Sequence, residues 1–356
     1  MERARRLAIT RTITCLLAGA AAVSSCTRTR AAPGGPPPPD GGEVVIACGA
    51  AEEWCAATTR AFTARTGIGS RFVRLSSGEA VARIRFGRDA PEFDVWHGGP
   101  ADGYAAADRY GLLANYRSPN AAAIPAEYKD PDGTWTGVYL GVLGFCSNTA
   151  VLAAKGLVPP RSWAELLHPA LRQNVGIAHP ATSGTAYTAL WTQVARHGGD
   201  VAAALRYMRA LHPNVLQYSK SGGAPAQQVA FGEVGVSVVF SHDCVATREQ
   251  GYTHLRVTFP REGTGYEVGG IALIKGARNP VSARRYVDWA LTPQAQEVGQ
   301  SVGSYQVPTH PAARRFGMTV ILSSVTLVDY DTVAAGARKT ELTRRFDAEV
   351  GKAPKP

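Results

Sequence analysis

Short apolar runs of β type alternate with stretches of helical periodicity along most of this chain, and that alternation restricts its possible folds more than any other feature. "GEVVIACG" (42–49) reads as a strand, and "EEWCAATTRAFTARTGI" reads as a helix stopped by Gly67. "SRFVRLSS" is a second strand, "SGEAVARIRFG" a helix with Ser77 as its expected N-cap, and "PEFDVWHGGPADGYAAADRYGLL" a third strand ending at His97 with a helix behind it. The order repeats in "VYLGVLGFCSN", a helix around "SWAELL", "NVGIAHP", a helix opened by "SGTA", and "VGVSVVFSHDC". Mostly helical signals follow "LRVTFPREGTGYEVGGIALIKGA". The expectation is an α/β protein with largely parallel sheets, its two lobes joined by extended segments near 137–144 and 258–266.

Ligands of open parallel sheets bind beyond the carboxyl ends of the strands, and the polar residues of this chain collect there. Six such turns are glycine-flanked or polar: "LSSGE" (75–79), "VWHGGPAD" (95–102), "HPATSGTA" (179–186), "YSKSGGAP" (218–225), "FSHDC" (240–244) and "PREGTGYE" (260–267). Thr182, Ser183, Gly184 and Thr185 stand directly before a helical pattern, where they either cap the helix or present free N–H groups to an anion. Ser76, Ser77 and Ser221 are candidate hydroxyl contacts; Trp96 and His97 wall the cleft, with a core position as the alternative for Trp96. His242 and Asp243 end an apolar strand, so one can donate and the other accept hydrogen bonds, with a helix-capping aspartate as the plainer reading. Glu262 and Glu267 flank a Gly-Thr-Gly bend that serves as a ligand contact or a solvated hinge.

The N-terminus carries different information. "MERARRLAITRTITCLLAGAAAVSSC" has a basic start and a short apolar run, as in an export signal (1–25) whose "VSSC" ending marks Cys26 for lipidation. A Pro- and Gly-rich tether follows to residue 42. Export makes the remaining four cysteines candidates for disulfides. Cys48 ends a strand and Cys55 falls early in the next helix, so these two can meet, which leaves Cys146 with Cys244. Zinc is the alternative, although no C-x-x-C or H-x-x-x-H spacing supports it. The net charge of +10 includes four arginines and one glutamate of the signal, and the remaining basic residues are scattered. Nucleic acid is therefore a poor partner for this chain.

Several segments, in order, resemble one family: "VRLSSGEAVARI", "DVWHGGPAD", "HPATSGTAYT", "FSHD", "EGTGYEVGGIALIKGARNP", "VDWALTPQAQE" and "VDYDTVAAGARKTELTRRF". Together they are similar to the solute-binding proteins of ABC importers, in the cluster that holds ferric-iron, phosphonate and hexose-phosphate binders, across residues 43–350. The resemblance implies a two-lobed type II periplasmic-binding fold: lobe 1 over 43–139, lobe 2 over 140–260, a return to lobe 1 with C-terminal helices over 261–350, and a tail at 351–356. It also implies a monomer without cofactor or metal that closes over a small anionic organic solute and docks on a permease with its ATPase. The protein would be held at the outer face of the cytoplasmic membrane or in the periplasm by its lipid.

Within that family the Ser-Gly-Thr turn looks like the oxyanion-binding turn, so Thr182–Thr185 cap the helix and hold a phosphate or phosphonate together. Ferric-iron members carry paired tyrosines near "SHDC"; this chain has Phe240, Ser241, His242 and Asp243 there, a set poorer in hard anionic oxygen. The His-Asp pair and the glutamates look instead like those that bind sugar hydroxyls in hexose-phosphate binders. Cys244, directly after the pair, departs from the pattern. The principal enzyme alternative is a hydrolase using Ser183, His242 and Asp243, but the serine lacks a G-x-S-x-G elbow and neighbouring His and Asp on one strand point to opposite faces. A sensor presenting the same cleft to a receptor is the third class.

Overall fold

The computed structural model describes residues 42–351, so the export signal, Cys26 and most of the tether lie outside the described residues. The chain runs β1 (Val44–Cys48), α1 (Glu52–Thr66), β2 (Ser70–Arg74), α2 (Ser77–Phe86), β3 (Val95–Pro100) and α3 (Ala101–Arg109), and then reaches the 13-residue strand β4 (Thr136–Asn148). Next come α4 (Thr149–Ala153), β5 (Val175–Ala178), α5 (Gly184–Arg196), α6 (Val201–Leu211), β6 (Val215–Ser219), α7 (Ala224–Ala230), β7 (Val236–Phe240), α8 (Ser241–Glu249) and β8 (Leu255–Thr258). The last third holds β9 (Tyr266–Leu273), α9 (Pro280–Ala290), α10 (Pro293–Glu297), β10 (Val307–Pro308) and α11 (Thr332–Glu349).

The strand order is β2-β1-β3-β9-β4-β7-β5-β6, with β8 and β10 also paired to β4. Parallel pairing is confined to the flanks, β2-β1-β3 on one side and β7-β5-β6 on the other. The centre is antiparallel, so the expectation of largely parallel sheets holds only for the flanks. The cause is β4 and β9, which enter the sheet against the direction of their neighbours. Residues Thr136–Val142 of β4 pair with β9, and Leu143–Ser147 pair with β7. One strand thus belongs to both halves of the sheet, over the 137–144 stretch read from the sequence as a connection. The "SWAELL" segment forms only a single 3-10 turn, Ala164–Leu167.

Core composition follows from this layering. Side chains alternate across a strand, so Val44, Ile46 and Cys48 of β1 pack with α1 and α9, and Val45 and Ala47 pack on the opposite face with α2 and α3. Both faces are covered, which is why β1 reads as an unbroken apolar run. Leu143, Phe145, Val175, Ile177, Val236 and Val238 form the other large core with Tyr187, Leu190 and Val194 of α5 and Leu205 and Met208 of α6. Fully burying such side chains contributes about 1.5–3 kcal/mol each. Helix α11 adds Ala335, Leu342 and Phe346 to this second core, while its Lys339 forms a buried ion pair with Asp102 of α3. It therefore packs against elements from both flanks of the sheet.

Two disulfides cross-link the fold. Cys48 is bonded to Cys55, seven residues on, and Cys146 of β4 to Cys244 of α8, 98 residues on. A cross-link that closes a longer loop removes more entropy from the unfolded chain. Replacing both Cys146 and Cys244 by Ala should lower the unfolding free energy by about 2 kcal/mol more than replacing Cys48 and Cys55, read by denaturant titration.

Candidate functional site

Five helices of eight residues or more begin at one cleft of about 440 Å³. The first turn of a helix has N–H groups without intrahelical acceptors and carries the positive end of the helix dipole. At α5 the N-cap is Ser183, whose Oγ accepts from Ala186 N at 3.3 Å. The N–H groups of Gly184 and Thr185 find no acceptor among the described residues. At α2 the N-cap is Ser76 rather than Ser77, and Glu79 reaches back to accept from Ser76 N (3.1 Å) and Ser76 Oγ (2.8 Å). That geometry leaves Ser77 at the first helical position, facing the cleft. The starts of α1, α3 and α8 complete the ring through Ala51, Pro100 and His242.

The two flanks of the sheet touch beside this ring. Gly78 N donates to Thr182 O at 3.0 Å, and Lys220 Nζ lies 2.6 Å from Glu79 Oε1. Burial pushes the Glu79 carboxyl up, but hydrogen bonds from Lys220 and Ser76 outweigh it and hold the group at about 2. Glycine is required on both sides of the approach. A Cβ at Gly78 would stand 2.3 Å from Ala181 O, and one at Gly184 would stand 2.6 Å from both Ser77 Oγ and Pro100 Cδ.

Arg74, the last residue of β2, supplies a full positive charge to the cleft. Its Nε donates to Ala50 O (3.2 Å) and a terminal nitrogen to Ser221 Oγ (3.5 Å), and it forms no salt bridge among the described residues. At the start of α8, His242 Nε2 lies 3.7 Å from Asp243 Oδ1 and 4.0 Å from Glu267 Oε1. Burial lowers His242, against the opposing pull of Asp243, and leaves its Nδ1 without a hydrogen-bond partner among the described residues. Burial raises Asp243, and it raises Glu267 well above the carboxylate range, with the Asp243 charge adding to the effect. A neutral imidazole and a protonated carboxyl beside a carboxylate provide both donors and acceptors for hydroxyl groups.

The structure thus brings Ser76, Ser77, Ser183, Gly184, Thr185, Ser221, His242, Asp243 and Glu267 to one cleft. Four sequence candidates lie outside its lining. Trp96 is fully buried and stacked 3.9 Å from the Tyr104 ring, because its position on β3 faces the α3 side of the sheet. His97 faces the opposite side, where Tyr286 OH is 3.0 Å from its Nδ1 and burial lowers it to about 3. Thr182 Oγ1 donates to His179 O and Lys220 O. Glu262 accepts from Trp163 N (2.7 Å) and Ser162 Oγ (3.0 Å) and pairs with Arg196, so it braces a loop rather than a ligand. His242 and Asp243 do not share a strand: they occupy the first turn of α8, from which both line the cleft. Sequence reasoning missed Arg74, Tyr139, Gln227 and Gln306. Arg74 directly precedes the quoted "LSSGE", and that adjacency was the available signal. Among the described residues no group of three or more His, Cys, Asp or Glu side chains is placed to hold a metal ion, and no hydrogen bond joins Ser183 to His242 or Asp243.

A folded carboxyl held above its ordinary range keeps a proton that the unfolded chain releases, so its contribution to stability is lost as pH rises from the ordinary range through the raised value. Wild-type protein should therefore lose more stability than Glu267→Gln as pH rises from about 5 to about 8, in a series of thermal melts.

Comparison with known proteins agrees with this geometry. A family model described as bacterial extracellular solute-binding protein matches residues 93–316. An uncharacterised Haemophilus influenzae protein is 37% identical over 296 residues, covering 82% of this chain and 85% of its own. A putative 2-aminoethylphosphonate-binding periplasmic protein of Salmonella typhimurium is 26% identical over 252 residues, 68% of this chain and 70% of its own. The structure of the periplasmic binding protein AfuA from Actinobacillus pleuropneumoniae, with exogenous fructose-6-phosphate bound, superposes with a TM-score of 0.84 at 37% identity, covering 87% of this chain and 98% of that one. The chain belongs to the bacterial extracellular solute-binding protein family, the solute-capturing component of ABC importers, and has its type II α/β fold.

Proposed function

We propose that this protein captures a small organic phosphate, with a sugar phosphate favoured over a phosphonate, and delivers it to an ABC permease while held to the membrane by a lipid on Cys26. One observation carries the reading: a single cleft is lined both by open helix starts with a guanidinium and by a buried His-Asp-Glu cluster. Helix starts at Ser76–Ser77 and Ser183–Thr185 together with Arg74 suit a phosphate group, through charge-assisted N–H···O⁻ bonds. His242, Asp243 and Glu267 suit a polyol. Inorganic phosphate would use only the first set. Ferric iron would require several ionised oxygen donors, and among the described residues no group of three or more His, Cys, Asp or Glu side chains is placed to supply them. A volume near 440 Å³ falls in the range of small-molecule sites. The relatives support the same class, since one carries bound fructose-6-phosphate and another is named for an aminoalkyl phosphonate.

Capture proceeds by closure of the two lobes, taken as 43–139 with part of 261–350 and as 140–260. A solute touching both lobes stabilises the closed form by its additional contacts there. In this reading the Gly78–Thr182 hydrogen bond and the Glu79–Lys220 pair are contacts of that closed form.

A thermal-shift screen of residues 43–356 against hexose phosphates, glycerol phosphates, aminoethylphosphonate, inorganic phosphate and ferric citrate tests the solute class. A ligand at about 100 times its Kd adds roughly 2.7 kcal/mol. Stabilisation by a sugar phosphate is expected, and stabilisation by iron alone would reverse the assignment. Closure has its own test in Gly78→Val, whose side chain blocks the Ala181 carbonyl. Affinity for every solute should fall by a similar factor, at least about tenfold, or ~1.4 kcal/mol, with the melting temperature of the unliganded protein unchanged. Solute-dependent losses in calorimetric titrations would instead mean that Gly78 contacts the ligand.

A further inference from the structure

We infer that His179 is a positioning residue for the anion site: its imidazole couples the C-terminal segment of the chain to the turn that presents the Gly184 and Thr185 N–H groups. The inference rests on the assignment of that turn to the phosphate. His179 follows β5, is fully buried, and is not itself part of the cleft lining. Its main chain already organises the turn, because its carbonyl accepts from Thr182 N (3.1 Å), Ser183 N (2.9 Å) and Thr182 Oγ1 (3.2 Å). The ring adds a contact that packing alone would not need: Nδ1 accepts from Ala181 N at 3.2 Å.

An imidazole nitrogen that accepts an N–H bond carries no proton, so in the neutral ring the proton sits on Nε2. Nε2 faces the end of α11 and the residue beyond it. Gly351 O accepts from it at 3.2 Å, and Asp347 Oδ1 lies 3.0 Å away, off the axis of the N–H. Phe346 and Tyr218 hold the ring edge-on at centroid distances of 5.2 and 5.7 Å. The C-terminal segment thus fixes the tautomer, and the tautomer provides the acceptor for Ala181. A ring flip or the other tautomer would set an N–H or a C–H against the Ala181 amide and loosen the loop that leads into Ser183. Remote groups that orient a binding group in this way act through geometry rather than through contact with the ligand.

Two replacements separate this role from packing. His179→Asn retains an acceptor near the position of Nδ1 but loses the ring; His179→Phe retains the ring and its edge-on contacts but loses the acceptor. Measured by calorimetry with inorganic phosphate and a hexose phosphate, His179→Asn should stay within about threefold of wild type. His179→Phe should weaken both ligands at least about tenfold and by equal factors. The reverse order, Phe tolerated and Asn costly, would assign His179 to packing and overturn the inference. Asp347→Ala changes a side chain that is 40% exposed and serves as a second variant if the His179 replacements fold poorly. It should weaken phosphate binding about two- to fivefold and speed exchange of the Ala181 amide; no change in either would exclude the Asp347 carboxylate from the C-terminal link and confine that link to the Gly351 carbonyl. Amide exchange is also measured without ligand. If the wild-type protein binds no phosphate, the anion assignment fails, yet faster Ala181 exchange in His179→Phe than in His179→Asn still supports the positioning role, and equal exchange overturns it.

Discussion

Unsatisfied backbone donors at helix starts are the constraint on which this molecule turns. Every helix leaves its first N–H groups without internal acceptors, and a protein ordinarily gives them to capping side chains or to water. Here several helices start at one cleft, and side-chain caps are few. Ser183 satisfies Ala186 and leaves Gly184 and Thr185 open, while Glu79 turns back on Ser76 and leaves Ser77 toward the cleft. The rest of the architecture follows from keeping these starts close together. Parallel flanks bring the carboxyl ends of their strands to the cleft, and glycine is needed at 78 and 184 because any larger residue would separate the two sides.

Beside the start of α8 in the same cleft sits a group whose electrostatics run the other way. Glu267 lies on β9 within reach of His242, and Gly141 of β4 leaves the space they occupy, since a Cβ there would meet Glu267 Oε1 and His242 Cε1 at 2.7 Å. Burying two acids side by side costs stability unless one keeps its proton. The cleft therefore accepts both a destabilising cluster and a set of unused donors. Both are features of a binding surface that is completed by its ligand.

Much of the fold was legible in the sequence because each strand and helix carries its own period and its own stop. Gly67 ends α1 in a left-handed conformation, as its position directly after "TART" indicates. What could not be read was direction. The apolar runs of β4 and β9 look like those of β1 and β7, and no local signal distinguishes a parallel partner from an antiparallel one. The site was legible where small and polar residues cluster at strand ends, which located Ser76, Ser183 and Asp243. It was obscure where a side chain acts away from its own turn. Arg74 belongs to a strand rather than a loop, and Glu262 sits in a promising bend yet points to Ser162 and Trp163. Trp96 and His97 show that adjacency alone misleads, because neighbours on a strand occupy different layers.

Helix α11 is the last element of the fold, and its far end lies against the histidine that precedes the anion turn. A chain emerging from the ribosome or threading through a translocon with its N-terminus first would therefore display every residue of the cleft before the support behind one wall had arrived. That wall is therefore finished by a segment that follows every cleft residue in the chain, and it stands complete once α11 has packed against the core.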